Sequence, residues 1–278
     1  AKNWNDFSRA LKHFGVPGQN IVYADIDGNI GWRPAVFLPI RKEGSSLIPR
    51  PGHDSDYDWS GRVPYKEMPY LFNPKKGYIA TANNKTIGDS FPYYISGLWA
   101  DPSRAQQIIK RLDTLDVATI EDMKSIQLDY TSLFAKEITP LLLSIKTGNE
   151  TGKHKEAIKI LEDWDFVESP ESKGTLIFHS VLRQVVISIF GDELDLLGDK
   201  YLDAFTSMKY LHNRSLRKIL AAGNSSWVDD VTTRNKIETL DEILTQSFIN
   251  GVHDIERVAG HNINNWEWGR VHYLTHKH

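Results

Sequence analysis

The sequence predicts an α+β protein in which the strands come first and the helices follow. Most of the 12 prolines and most of the turn signals precede residue 100, where short β-branched and aromatic runs alternate with loops. Beyond that point, apolar residues recur at helical spacing. With 278 residues, 40% of them hydrophobic, the chain is long enough to bury a sizeable core. We therefore expect a β-rich, loop-rich part over residues 1–100 and a mainly helical part over residues 101–278.

The first hundred residues predict one hairpin and one further strand. Residues 20–25 form a β-branched and aromatic run, residues 27–29 read Asp-Gly-Asn, a tight-turn signal, and a second extended run follows. Residues 39–77 are rich in proline, glycine, aspartate and serine, which favours irregular structure held by aromatic side chains. A short strand is then expected over residues 78–82, where a pair of asparagines ends it.

The remainder of the chain predicts a series of helices. The first begins after Pro102, because proline is favoured just inside a helix start. The next opens with Thr119 as the N-cap and Asp122 three residues on, an acidic variant of the capping box. Further helices are expected over residues 131–146, 153–163, 174–190, 192–206, 208–222 and 232–260, with glycines at 191 and 223 among the breaks.

Composition excludes several classes of function. The net charge of −3 gives no electrostatic case for nucleic acid or an anionic membrane, and no stretch approaches the apolar length that spans a bilayer. The absence of cysteine excludes thiol catalysis, thiolate metal sites and disulfides. The ten histidines do not cluster as ligands, and the acidic run over residues 54–58 lacks the glycine and distal glutamate of a calcium loop. We therefore expect no metal and no cofactor.

Two polar features are candidates for catalysis, and each also has an ordinary structural interpretation. Asn83, at the end of the predicted strand, carries an amide NH₂ that can donate to a developing oxyanion. The alternative is that Asn83 and Asn84 close a turn, as asparagine often does. Arg104, in the first turn of the predicted helix, either pairs with a carboxylate or is a solvated surface charge. Composition alone leaves these alternatives open.

Several separated motifs occur in a fixed order along the chain. They are Asn20-x-x-Tyr23-Ala24-Asp25-x-Asp27-Gly28-Asn29-Ile30-Gly31, Pro49-x-Pro51-Gly52, Trp59-x-Gly61, Asn73-Pro74-x-x-Gly77 to Asn84, Trp99 to Arg104, Gln127-Leu128-Asp129, Leu161-x-x-Trp164-Asp165, and Trp266-x-Trp268-Gly269-x-x-His272 to His278. This order resembles the β-chain of the penicillin acylases, which are N-terminal-nucleophile hydrolases that cleave amide bonds. The resemblance implies that residues 1–100 belong to the αββα sandwich of that fold.

The resemblance also assigns expected roles to three residues. Asn83 matches an asparagine of the family's oxyanion hole, and Arg104 matches an arginine near the free amine of the nucleophile. Gln19 falls where the penicillin G acylases have an apolar residue of the acyl pocket, so its polarity disfavours phenylacetyl specificity. The family's nucleophile is the N-terminal serine of the β-chain, whereas this chain begins with Ala1 and ends inside a motif at His278. We therefore expect an internal segment, truncated at its carboxyl end.

The function implied by the resemblance is hydrolysis of N-acyl amides by the full-length protein. The substrate is a small molecule, and β-lactam amides, acyl-homoserine lactones and other N-acyl compounds all remain open. The expected partners are the α-chain and the rest of the β-chain, and the segment alone is expected to be inactive and to self-associate through uncovered apolar surface. The family favours a periplasmic or extracellular location. The alternative function is that of an inert binding domain on the same scaffold.

Overall fold

The computed structural model describes residues 1–42, 46–144 and 152–276. The chain forms two compact units, Ala1–Leu115 and Asp116–His278. Helix Ser103–Leu112 belongs to the first of these units, so the units divide after the change in composition near residue 100. The domain boundary at residue 100 stays a prediction.

The first unit contains the five strands of the described residues. Strands β1 (Gln19–Ala24) and β2 (Ile30–Ala35) form the predicted antiparallel hairpin, and β5 (Leu71–Phe72) pairs with the other edge of β2. Gly28 takes the positive φ of +82° that the hairpin turn requires. A second sheet is formed by β3 (Pro39–Arg41) and β4 (Trp59–Arg62).

Helix α1 (Trp4–Leu11) lies on the first sheet and is held there by aromatic side chains. No residue of α1 is fully buried, but the Trp4 ring stacks on Phe72 with centroids 5.0 Å apart and meets Tyr23 edge-on at 5.6 Å. A Cβ at Gly31 would lie 2.3 Å from the Trp4 ring. The glycine in β2 therefore creates the space that the indole fills.

The prediction of a strand over residues 78–82 is wrong, because that segment forms no strand in the described structure. A strand needs a neighbouring strand to hydrogen bond its backbone, and here side chains take that place. The Ala82 N–H donates to Asn84 Oδ1 at 3.0 Å, and the Ala82 carbonyl accepts from Arg104 at 3.0 Å. The local β-propensity of this segment therefore did not lead to a ladder.

Helix α2 (Ser103–Leu112) closes the first unit, and the described residues of the second unit are mainly helical. The capping box predicted at Thr119 and Asp122 is confirmed. The helices are α3 (Ile120–Gln127), α4 (Leu133–Leu142), α5 (Gly152–Glu162), α6 (Lys173–Leu197), α7 (Tyr201–Ser207), α8 (Lys209–Ala222), α9 (Leu240–Ala259) and α10 (Trp268–Val271). The end of the helix predicted over 131–146 lies outside the described residues, as does the motif end at His278.

Helix α6 is the centre of the second unit and differs from two predictions. It continues through Gly191, which is buried inside it, and ends at Gly198, where φ is +131°. It is also long and apolar enough to cross a membrane, with a mean hydropathy of 1.4, so the expectation that no such stretch exists was wrong. Because 67% of that apolar window is buried within the protein, its hydropathy is that of a core helix.

The loop before α9 replaces the first part of the helix predicted over residues 232–260. Side chains close this loop: the Asp230 N–H donates to Glu238 Oε2 at 3.1 Å, and the Val231 N–H donates to Asp192 Oδ2 at 2.7 Å. Burial, together with a hydrogen bond to Asp192, raises the pKa of the neighbouring Glu193 to about 7. The acidic residues here compete with helix formation because their side chains satisfy the backbone of the loop.

Candidate functional site

Asn83 lies between the segment 78–82 and the loop that leads to α2. Its backbone is left-handed, with φ at +61°, a conformation that asparagine tolerates better than most residues. Its carbonyl accepts a hydrogen bond from the Ala100 N–H at 3.1 Å, which ties the two ends of the intervening loop together. The side chain is exposed to solvent.

Arg104 is the second residue of α2 and points back to Asn83. Its guanidinium donates to Asn83 Oδ1 at 2.8 Å and to the Ala82 carbonyl at 3.0 Å. A cation in the first turn of a helix is opposed by the helix dipole. The two hydrogen bonds offset that cost and fix the guanidinium beside the asparagine.

The contact with Arg104 orients the Asn83 amide. Because the Oδ1 atom accepts from the guanidinium, the amide cannot be flipped without bringing two donors together. The Nδ2 atom then faces away from Arg104 and donates to no protein atom in the described ranges. An exposed NH₂ group of fixed direction is a donor that a ligand can use.

Asn84 has the structural role that the sequence left open for both asparagines. Its Oδ1 accepts from the Ala82 N–H at 3.0 Å, and its Nδ2 donates to the Lys85 carbonyl at 3.1 Å. Both ends of this amide are therefore used by the local backbone. The turn-closing interpretation holds for Asn84, and Asn83 remains the candidate donor.

Gln19 is the first residue of β1, opposite Ala35, and its side chain is exposed. Within the described part of the chain it makes no hydrogen bond to Asn83 or Arg104. The structure thus joins two of the three predicted site residues directly and does not join the third to them.

Sequence reasoning missed a cavity of about 320 Å³ whose lining includes Asn84 and other residues of the segment 78–86. Its wall includes the buried Trp32 and the half-buried Tyr78. The Tyr78 hydroxyl donates to Asp113 Oδ1 at 2.6 Å, and this hydrogen bond raises the pKa of Tyr78. The one feature of the sequence that could have indicated this cavity is the mainly apolar run over residues 78–82, most of which lines it.

The described residues contain no group of three or more histidine or carboxylate side chains placed to hold a metal ion. The acidic run over residues 54–58 instead forms a short 3-10 helix, in which Asp54 accepts from the Asp56 N–H at 2.9 Å. The chemistry that the Asn83 and Arg104 pair offers is hydrogen-bond donation to an anion.

Comparisons with known proteins agree on one family. The sequence pattern of the family described as penicillin amidase matches residues 1–278. An acyl-homoserine lactone acylase, QuiP, of Pseudomonas fluorescens is 30% identical over 98% of this chain and 35% of its own length. Penicillin G acylase of Escherichia coli is 28% identical over 63% of this chain and 21% of its own length.

The fold has a counterpart among solved structures. A thermostable penicillin G acylase from Alcaligenes faecalis superimposes with a TM-score of 0.69 at 18% identity, covering 96% of this chain and 51% of that one. The chain spans about a third of the length of the acyl-homoserine lactone acylases that it matches.

Proposed function

This chain belongs to the penicillin amidase family, and from that premise we propose that it forms part of an amidohydrolase that cleaves N-acyl amides. The observation that carries the proposal is the exposed Asn83 amide, whose Oδ1 is held by Arg104 while its Nδ2 is available. The proposed nucleophile is an N-terminal serine outside these 278 residues. Relatives about three times as long leave ample sequence for it.

The proposed reaction passes through an acyl-enzyme. The serine hydroxyl adds to the amide carbonyl while its own α-amine takes the proton, since that amine has an ordinary pKa near neutrality. The carbonyl oxygen becomes an oxyanion. The α-amine then returns the proton to the leaving nitrogen, the C–N bond breaks and the amine departs. Water repeats the sequence on the ester and releases the carboxylic acid.

Asn83 Nδ2 is the proposed donor to the oxyanion. A neutral amide suits this task because it stabilises negative charge without binding the uncharged ground state as strongly. Arg104 acts as a positioning residue: its hydrogen bonds to Asn83 Oδ1 and to the Ala82 carbonyl hold the amide in one direction. Withdrawal of electron density from Oδ1 also makes the Nδ2 protons better donors.

Acyl-homoserine lactones are the substrate class that we favour. The acyl-homoserine lactone acylase of Pseudomonas fluorescens matches 98% of this chain, whereas the Escherichia coli penicillin G acylase matches 63%. The polar Gln19 agrees with that preference, since the family resemblance places it where an apolar residue contacts a phenylacetyl group.

The test compares the intact protein with the 278-residue chain. Release of primary amine from an N-acyl-homoserine lactone and from benzylpenicillin is followed with an amine-reactive fluorophore. We expect turnover by the intact protein, faster on the lactone, and none by the chain alone. Absence of turnover on every N-acyl amide tried would contradict the proposal and favour an inert binding domain on the same scaffold.

A further inference from the structure

A cavity of about 540 Å³ lies in the second unit between α6 and α7, with His212 of α8 also in its lining, and the function proposed above does not use it. One wall is a stripe of α6 residues spaced three and four apart, from His179 through Arg183 to Ile187. Leu202 of α7 faces this stripe from the other side. Cavities of 300–1,000 Å³ with an apolar wall and a few polar groups are typical small-molecule sites.

The polarity of the stripe changes from one end to the other. Along the stripe, the polar His179 and Arg183, with Leu182 between them, precede the apolar Val186 and Ile187. The eight residue steps from His179 to Ile187 correspond to about 12 Å of helix axis. An extended ligand that is charged at one end and apolar along its length matches this order.

Arg183 lines this cavity, and its positive charge is only weakly neutralised by a neighbouring carboxylate. Its nearest carboxylate oxygen, Asp254 Oδ2, is 3.8 Å away and already accepts from Gln184 Nε2. The other oxygen of Asp254 accepts from Arg257 at 3.1 Å. In the portion of the chain that the structure describes, the Arg183 guanidinium makes no hydrogen bond.

The other charged groups at the cavity limit the charge of the ligand that can bind there. The Nε2 atom of His179 lies 3.2 Å from Glu168 Oε1, so that carboxylate already occupies its side of the imidazole. Asp203 is exposed on the α7 rim, and its negative charge repels a dianion more strongly than a monoanion. A single carboxylate therefore suits the rim better than a dianion.

We propose that this cavity binds a medium-chain monocarboxylate, with its alkyl chain along Val186, Ile187 and Leu202 and its carboxylate on Arg183. The planar guanidinium can donate two parallel hydrogen bonds to a carboxylate. The acid that the proposed amide hydrolysis would release belongs to this class of ligand. The binding itself is independent of that reaction and is tested without it.

The test is calorimetric titration of the 278-residue protein with decanoate below its micelle concentration. We expect saturable binding at one site, and weaker binding of decan-1-ol, which has the same chain without the charge. Arg183→Gln should weaken decanoate binding about tenfold or more, because a hydrogen bond to a charged group is lost. Arg257→Gln, an exposed arginine beside the same Asp254, is the matched control and should leave the affinity unchanged.

A second variant tests the apolar wall. Ile187→Trp fills the cavity and should abolish binding, while circular dichroism reports whether the helices are retained. If that variant does not fold, the Arg183→Gln comparison decides alone. The proposal is overturned if decanoate shows no saturable binding, if decan-1-ol binds as tightly, or if the two arginine variants have equal effects.

Discussion

A close approach between α6 and α9 in the second unit makes a sharp prediction about Gly251. This glycine lies in the middle of α9, where a Cβ would be 2.9 Å from both the Cα and the N of Val181 on α6. Atoms of a helix backbone cannot move aside as the end of a side chain can. Gly251→Ala must therefore push α9 away from α6, which also strains the hydrogen bond from Ser180 Oγ to the Gly251 carbonyl at 3.0 Å.

The magnitude follows from a matched pair of variants. Alanine is more favourable than glycine in a helix by about 1 kcal/mol, and this gain applies equally at Gly251 and at Gly191 in α6. At Gly191 the nearest atoms to an added Cβ are 3.6 and 3.7 Å away, an ordinary contact. The difference in the free energy of unfolding between the variants therefore isolates the steric cost, which is about 1–3 kcal/mol for an overpacked core.

The assay is urea-induced unfolding followed by far-ultraviolet circular dichroism. Gly191→Ala should be as stable as the wild type or up to about 1 kcal/mol more stable. Gly251→Ala should be less stable than Gly191→Ala by about 1–3 kcal/mol at unchanged m-value. Equal stability of the two variants would refute the account of how α6 and α9 pack.

Three further predictions concern local contacts. Glu193→Gln should raise the free energy of unfolding above pH 7 by about 1 kcal/mol and have no effect near pH 4. The reason is that the folded-state pKa of Glu193, about 7, lies above its unfolded value, so the wild-type protein loses stability as the pH rises toward and through 7. Urea titrations at the two pH values check this prediction. Gly31→Ala should displace Trp4, lower stability by about 1–3 kcal/mol and red-shift the tryptophan fluorescence. Thr239→Ala removes the N-cap that pairs with Glu242 and should cost about 1 kcal/mol in the same unfolding assay.

The elements that the sequence predicted well are those specified by local signals. The hairpin of β1 and β2 depends on a turn dipeptide and on alternating residues next to it, and the start of α3 depends on the capping box at Thr119. Prediction was weaker where distant packing decides. Gly191 marked a helix end in the sequence, but α6 is buried there and continues to Leu197.

The candidate site could be predicted in part for the same reason. The start of α2 follows from Pro102, and the two residues that the family resemblance selected, Asn83 and Arg104, are hydrogen bonded to each other in the structure. Asn83 is an available donor and Asn84 closes the turn, and this difference depends on the left-handed φ of Asn83, which no local signal specified. The cavity beside α6 and α7 depends on how these helices and α8 pack together, so the sequence could not indicate it.

The central claim is that Asn83 stabilises the oxyanion of an amide hydrolysis, and kcat of the intact protein with Asn83→Ala tests it most directly. Asn235→Ala is the matched control, because Asn235 is also exposed and left-handed, with φ at +61°. We expect Asn83→Ala to lower kcat for an N-acyl-homoserine lactone by about 10²–10³-fold at a similar KM, and Asn235→Ala to leave it unchanged. If Asn83→Ala lowers kcat no more than Asn235→Ala does, the claim is contradicted.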